Sequence, residues 1–211
     1  HWQKDSANPI KVAPQLPGYN QKDYRDPYLW REGDTWYQVI GTAVDNRGEV
    51  LLYRSSNLRD WEYLHPLIPD EIRGTLEDGA DICECPNFFA IGNKYVLVFS
   101  VWRNHTLYYP VAFVGEFKNL HFYPEYMQRL DWGMQCFYAP LSFKANDRQL
   151  MFGWLQEQRT KEEQVKAGWS GVMSLPRVLS LESNRLKIDF ASELQSLRKE
   201  SVKLVNLALD K

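Results

Sequence analysis

Two acidic residues sit in contexts suited to acid–base chemistry. Glu84 lies among Ile82, Cys83, Cys85 and Pro86. On an inner strand such a carboxyl loses solvation, which is the condition for holding a proton and acting as a general acid. Asp26 directly follows Arg25. Adjacent strand residues point to opposite faces. Near a strand end the two can still meet, and an ionised Asp beside a guanidinium suits the acceptance of hydrogen bonds from sugar hydroxyls. Read one at a time, each carboxylate is more commonly a solvated strand end or half of a structural ion pair.

Other chemistries find less support. The three cysteines, Cys83, Cys85 and Cys136, make no complete disulfide framework. Cys83 and Cys85 are a single i,i+2 pair, and the four histidines, at 1, 65, 105 and 121, are scattered, so no zinc site and no other metal or cofactor is expected. Reduced thiols point to a reducing, cytoplasmic compartment. No Gly-rich phosphate loop and no Ser-His-Asp set stands out, and Asn104-His105-Thr106 is a sequon of a kind that arises often by chance.

The elements that would position Asp26 and Glu84 are strands. Period-two stretches recur at Thr35–Ile40, Val50–Arg54, Lys94–Phe99 and Gln149–Trp154, separated by turns at Glu32-Gly33-Asp34, Asn46-Arg47-Gly48, Gly92-Asn93 and Ala145-Asn146-Asp147. One short helix is expected at Ser192–Lys199, with Ser192 as N-cap, and the charged run Glu157–Lys166 reads as a solvated loop or single exposed turn. Three segments repeat: Arg25-Asp26-Pro27-Tyr28-Leu29-Trp30, Glu84-Cys85-Pro86-Asn87-Phe88-Phe89 and Tyr138-Ala139-Pro140-Leu141-Ser142-Phe143. Each places Pro third, with a turn and an aromatic or aliphatic strand to follow. The prolines are 59 and 54 residues apart, a period that fits four-stranded propeller blades. Inner strands of a propeller converge on one funnel, so Asp26 and Glu84 should start adjacent strands and face a common pocket. The alternative is unrelated strands of a sandwich.

Composition sets outer limits. The chain has 211 residues, with 25 Lys and Arg against 27 Asp and Glu, a net charge of -2. That balance argues against a nucleic-acid or anionic-membrane partner. The longest apolar run, Tyr95–Trp102, is far short of the roughly 20 residues a spanning helix needs. Aromatic residues make up 14%, and flat rings suit sugar faces as well as cores. Trp102, Trp154 and Trp169 are candidate sugar platforms or core residues.

Taken together, these motifs resemble glycoside hydrolase family 32, which contains invertases, sucrose-6-phosphate hydrolases, levanases and inulinases. Tyr24-Arg25-Asp26-Pro27 resembles the family's Arg-Asp-Pro motif, and Ile82 to Phe89 its Glu-Cys motif. Tyr53-Arg54-Ser55-Ser56-Asn57-Leu58 with Trp61, Phe137-Tyr138-Ala139-Pro140, Gly153-Trp154, Trp169-Ser170-Gly171 and Leu175-Pro176-Arg177 are similar to further family blocks in the same order. The resemblance implies an all-β, five-bladed propeller of which this chain holds about three blades over 1–190, with 191–211 as linker and start of a C-terminal β-sandwich. It implies Glu84 as acid/base and Asp26 as transition-state stabiliser. It implies Arg25, Cys85, Tyr138, Asp131 and Trp169 as substrate-binding residues. The substrate class it implies is a β-fructoside (sucrose, sucrose 6-phosphate or a fructan) cleaved with retention. The family's nucleophile is an Asp in an Asn-Asp-Pro-Asn motif, and this chain has none; its only Asp-Pro is Asp26-Pro27. The chain is therefore expected to be a fragment or a degenerate relative, with self-association through open blade edges. Two rival readings are a non-catalytic carbohydrate-binding fragment or pseudoenzyme, and another propeller glycosidase acting on arabinans or xylans.

Overall fold

The computed structural model describes residues 1–69, 79–132 and 136–200. It is all-β, built from three antiparallel sheets that follow one another along the chain. The first is a meander of β1 (Arg25–Glu32), β2 (Thr35–Val44), β3 (Arg47–Ser55) and β4 (Glu62–Pro66). The second repeats it with β5 (Ile82–Ile91), β6 (Lys94–Arg103), β7 (Thr106–Lys118) and β8 (His121–Arg129). The third contains β9 (Phe137–Ala145), β10 (Arg148–Leu155), β11 (Val172–Met173), β12 (Arg177–Glu182) and β13 (Arg185–Phe190). There β11 pairs one end of β10 and β12 the other, so the two are halves of a single interrupted third strand. Three four-stranded meanders laid side by side are propeller blades, in agreement with the repeat read from the prolines.

The middle sheet shows why the strands are so apolar. Leu97, Phe99 and Val101 on β6 join Val39, Val50 and Leu52 of the first sheet in one buried cluster. Val96 and Val98 on the same strand join Phe137, Met151 and Leu179 of the third sheet in another. A strand buried on both faces has no place for alternation, so Tyr95 to Trp102 reads as a near-continuous apolar run. The first two sheets approach closely at Gly41, where an added Cβ would lie 2.1 Å from the Cys83 carbonyl oxygen.

One buried polar residue ties the inner strands. Asn87 on β5 is fully buried. Its side-chain amide donates to the carbonyls of Cys85 and Pro140, both at 2.9 Å, and its Oδ1 accepts the Ser142 amide at 2.6 Å. It thereby satisfies β9 backbone groups that a sheet-to-sheet junction would otherwise leave unpaired.

Two local expectations are corrected. Within the charged run, Lys161–Ala167 is a helix (α1), not a loop. Thr160 caps it in a reciprocal box with Glu163, and Gly168 ends it with a left-handed φ of 75°. The Thr-x-x-Glu signature was present in the sequence but hidden by the density of charge. Conversely, Ser192–Leu197 is a 3-10 turn whose N-cap is Ala191, without a side-chain cap from Ser192. β13 ends at Phe190, and residues 201–211 of the expected linker and sandwich segment lie outside the described residues.

Replacing Asn87 by Ala removes three buried hydrogen bonds and leaves their backbone partners without compensation. We expect a loss of about 3 kcal/mol in urea-unfolding stability, whereas Lys4→Ala, at an exposed position, changes it by less than about 0.5 kcal/mol.

Candidate active site

Each inner strand begins with the same backbone irregularity. The residue before the repeat proline has a left-handed φ in all three: 61° at Asp26, 48° at Cys85 and 48° at Ala139. Strand pairing slips at or opposite each of these points, between Arg25 and Tyr28, between Glu84 and Asn87, and between Phe152 and Trp154 on the partner of β9. Left-handed backbone is costly for a non-glycine residue and persists only where the surroundings enforce it. Here the prolines lack the donor the ladder would need, and the neighbouring blade takes the kinked amides. The Cys85 amide donates to Asp26 Oδ2 at 3.0 Å, and the Ala139 amide to Oγ of the buried Ser100 at 3.0 Å.

The kink brings together side chains in like positions of the repeat. Arg25, Glu84 and Tyr138 each stand two residues before their proline and form one chain of contacts. Arg25 donates from Nη2 to Glu84 Oε1 at 2.6 Å, and the Tyr138 hydroxyl donates to Glu84 Oε2 at 2.6 Å. Asp26 and Cys85 occupy the next position and also meet: Asp26 Oδ2 accepts from the Cys85 amide and, at 3.5 Å, from its thiol. Asp26 thus corresponds in register to Cys85, not to Glu84. The two carboxylates nevertheless share one site with Tyr138, as expected, because Asp26 and Glu84 flank the same pair of contacts. The Glu84 side chain is 14% exposed and that of Asp26 31%, so both remain open to a ligand.

Asp23 was not foreseen in the sequence. It accepts from Arg25 Nη1 at 2.6 Å, and its other oxygen accepts from Asn20 at 2.9 Å. Asn20 Oδ1 in turn accepts the amides of Lys22 and Asp23, both at 2.9 Å, a local turn just ahead of β1. Asn-x-x-Asp is the signal that could have found it. Arg25 therefore spends its strongest contacts on Asp23 and Glu84, while its Nε lies 4.0 Å from Asp26. Its burial opposes the charged form, but hydrogen bonds to Glu84 and Asp23 outweigh this and raise its pKa above the ordinary arginine value. The same bond to Arg25 holds the Asp23 carboxyl below the usual range. Burial, then the charge of Asp26, pushes the Cys85 thiol up to about 12. Burial and the bond to Glu84 push the Tyr138 phenol up as well. At neutral pH both are neutral donors that orient the two carboxylates.

The remaining expected residues stand apart from this cluster to different degrees. Asp131 Oδ2 accepts the Phe137 amide at 3.1 Å and so fixes the start of β9, one residue from Tyr138. Trp154 is the cross-strand partner of Tyr138 and is 39% exposed. Trp169 follows α1, is 55% exposed and lies under the Arg159 guanidinium at 4.0 Å, with no described contact to the carboxylates. Trp102 packs edge-on against His105. Cys83 is core. Among the described residues no group of three His, Cys, Asp or Glu side chains is placed to hold a metal ion.

The domain described as Glycosyl hydrolases family 32 N-terminal domain matches residues 1–189, and the chain belongs to that family. It is 34% identical over 212 residues to a sucrose-6-phosphate hydrolase of Zymomonas mobilis, covering 94% of this chain and 40% of that protein. A sucrose-6-phosphate hydrolase of Escherichia coli is 33% identical, over 84% of this chain and 38% of that protein. Among solved structures, a point mutant of the Bombyx mori β-fructofuranosidase in complex with sucrose superposes with a TM-score of 0.79 at 30% identity, over 95% of this chain and 44% of that one. Fructan 1-exohydrolase IIa of Cichorium intybus shares the fold, with a TM-score of 0.78 at 23% identity. The chain spans about 40% of the length of the curated relatives it matches.

The site makes a pH-dependent prediction about Cys85. A thiol with a pKa near 12 is about one part in ten thousand thiolate at pH 8, so Cys85 should resist alkylation by iodoacetamide under native conditions. Removing the negative charge favours the thiolate, so Asp26→Asn should lower the Cys85 pKa and accelerate its labelling, read by peptide mass spectrometry. Equal labelling rates in both proteins would contradict the contact.

Proposed function

We propose that this chain carries the acid/base and fructosyl-holding part of a β-fructofuranosidase active centre, acting on sucrose, sucrose 6-phosphate or fructans with retention. The observation that carries the reading is the Arg25–Glu84–Tyr138 chain with Asp26 beside it, where the inner strands begin. Glu84 is the proton donor to the glycosidic oxygen. Arginine has no lone pair, so in the acid form the proton belongs on Oε2, with the Tyr138 hydroxyl turned from donor to acceptor. After the leaving group departs, the same carboxylate activates water. Asp26 has Oδ2 engaged by Cys85, which leaves Oδ1 for fructosyl hydroxyls. Arg25 and Tyr138 position Glu84, and Asp131 positions the strand that carries Tyr138. Trp169 is assigned to the outer sugar subsites. The relatives named as sucrose-6-phosphate hydrolases and the sucrose complex of the insect enzyme support this substrate class. Thiols outside any disulfide support a cytoplasmic setting.

Retaining chemistry needs a second carboxylate roughly 5–5.5 Å from the acid to attack the anomeric carbon. No residue of this chain stands in the family's Asn-Asp-Pro-Asn motif, and we assign the attack to a group outside these residues. Leu141, Val172 and Met173 on the third sheet are 58%, 49% and 66% exposed, and we assign to this apolar edge the self-association expected of open blades. Sedimentation velocity at micromolar concentration should show dimers or larger species; a stable monomer would remove this assignment.

The functional reading is tested by leaving-group dependence. In an active protein containing this chain, Glu84→Gln should lower kcat on sucrose by about 10² to 10⁴-fold but cost much less on an aryl fructoside whose leaving group needs no proton. Equal losses on both substrates would remove the general-acid role. The 211-residue chain alone should release no glucose from sucrose above a blank, and turnover abolished by Glu84→Gln would show that one of its own carboxylates attacks.

A further inference from the structure

Asp23 is an acidic residue of the site to which the proposed chemistry gives no role. It stands on a platform of its own ahead of β1. The Asn20 amide donates to the Ala43 carbonyl at 3.0 Å, and the Thr42 hydroxyl donates to the Asn20 carbonyl at 3.3 Å, so β2 holds the turn. The Asn20 side chain donates to Asp23 Oδ2 at 2.9 Å, and its Oδ1 accepts the Lys22 and Asp23 amides. Asp23 Oδ1 is left for Arg25 Nη1, at 2.6 Å.

One guanidinium is therefore shared by two carboxylates. Nη1 serves Asp23 and Nη2 serves Glu84, each at 2.6 Å. The sharing matters because a general acid must keep its proton until the leaving group takes it. A carboxylate paired alone with a guanidinium is held ionised, because an opposite charge in contact favours the charged form. With Asp23 in the trio the balance changes. The charges of Asp23 and Arg25 cancel, so the trio is neutral when Glu84 is protonated and carries one negative charge when Glu84 is ionised. Asp23 supplies its charge at neutral pH, since the bond to Arg25 holds its carboxyl below the usual range. The Glu84 side chain is 14% exposed, against 26% for Asp23 and 35% for Arg25, so the group whose protonation matters is the least screened of the three. The other charged or titratable groups facing the trio, among the described residues, are Asp26, Cys85 and Tyr138 around Glu84 and Lys22 beside Asp23. Cys85 and Tyr138 are neutral donors, Lys22 is exposed, and Asp26 lies farther from the guanidinium, 4.0 Å from its Nε.

We propose that Asp23 is a positioning residue for the acid: it fixes Arg25 and takes up its charge, so that Glu84 can keep the proton it donates. This role rests on the reading of Glu84 as general acid and adds to it a side chain that acts on Glu84 through Arg25. No bond is made or broken at Asp23.

The test is the titration of Glu84 in the full chain, followed by carbon-13 NMR of the glutamate side-chain carboxyls, with Glu84→Gln identifying the signal. Asp23→Asn keeps the shape and an acceptor oxygen but removes the charge, which leaves Arg25 to Glu84. Glu84 should then lose its proton at a pH lower by about one unit. Asp23→Glu returns the charge and should bring the titration back toward its wild-type position, with near-ultraviolet circular dichroism verifying the fold of both variants. In an active protein containing this chain, the basic limb of the kcat/KM profile on sucrose reports loss of the acid's proton, and Asp23→Asn should move it to lower pH by the same amount. If Asp23→Asn leaves the Glu84 titration in place or raises it, or if Asp23→Asn and Asp23→Glu titrate alike, Asp23 is a structural residue only and the proposal falls. If the titration shifts as expected but the rate profile does not follow, Asp23 governs the Glu84 proton as proposed, and it is the general-acid reading of Glu84 that fails.

Discussion

Everything in this molecule that looks functional depends on a backbone kink made three times. A strand that starts with X-Pro cannot pair through the proline nitrogen, and the residue before the proline is pushed out of right-handed helical space. Asp26, Cys85 and Ala139 all resolve this by going left-handed. The kink turns the side chains at the strand start out of simple alternation and toward the neighbouring blade. It also frees an amide, which the previous blade captures through Asp26 Oδ2 or Ser100 Oγ. Strain in one blade is thus held in place by a side chain from the blade before it, and the carboxylate that does the holding at Cys85 is itself a candidate functional group.

The packing around the kinks explains how such a strained set is maintained. The middle sheet is buried on both faces, against Val50 and Leu52 on one side and Met151 and Leu179 on the other. At roughly 25 cal/mol per Å² of apolar surface, these two interfaces supply the rigidity that fixes the inner strands. Asn87 then sets their relative register through bonds to backbone groups of β5 and β9. A hydrophobic substitute could fill the same volume but would leave those groups unmatched.

Electrostatically the site is a balance in which each carboxylate has a different neighbour. Asp23 takes Arg25 and an Asn, Glu84 takes Arg25 and a phenol, and Asp26 takes an amide and a thiol. Three acidic groups in a small space differ in chemistry only if their surroundings differ. Arg25 separates the roles by bridging two of them, and the neutral Cys85 and Tyr138 donate without adding charge.

The sequence by itself determined the blade repeat, the all-β class and the residues Asp26, Glu84 and Tyr138, because proline spacing and apolar runs are local properties of the chain. It misjudged Lys161–Ala167, where a capping box outweighed a run of charge that reads as loop. It brought Asp26 and Glu84 to one pocket but did not show the contacts made there, which join Arg25 with Glu84 and Tyr138, and Asp26 with Cys85. Only the tertiary structure decided these partnerships, together with the place of Asp23. The physical reason for the partnerships is range: they join residues 54 or 59 apart in sequence, across strand starts whose backbone angles no local propensity favours. The packing of one blade against the next selects them.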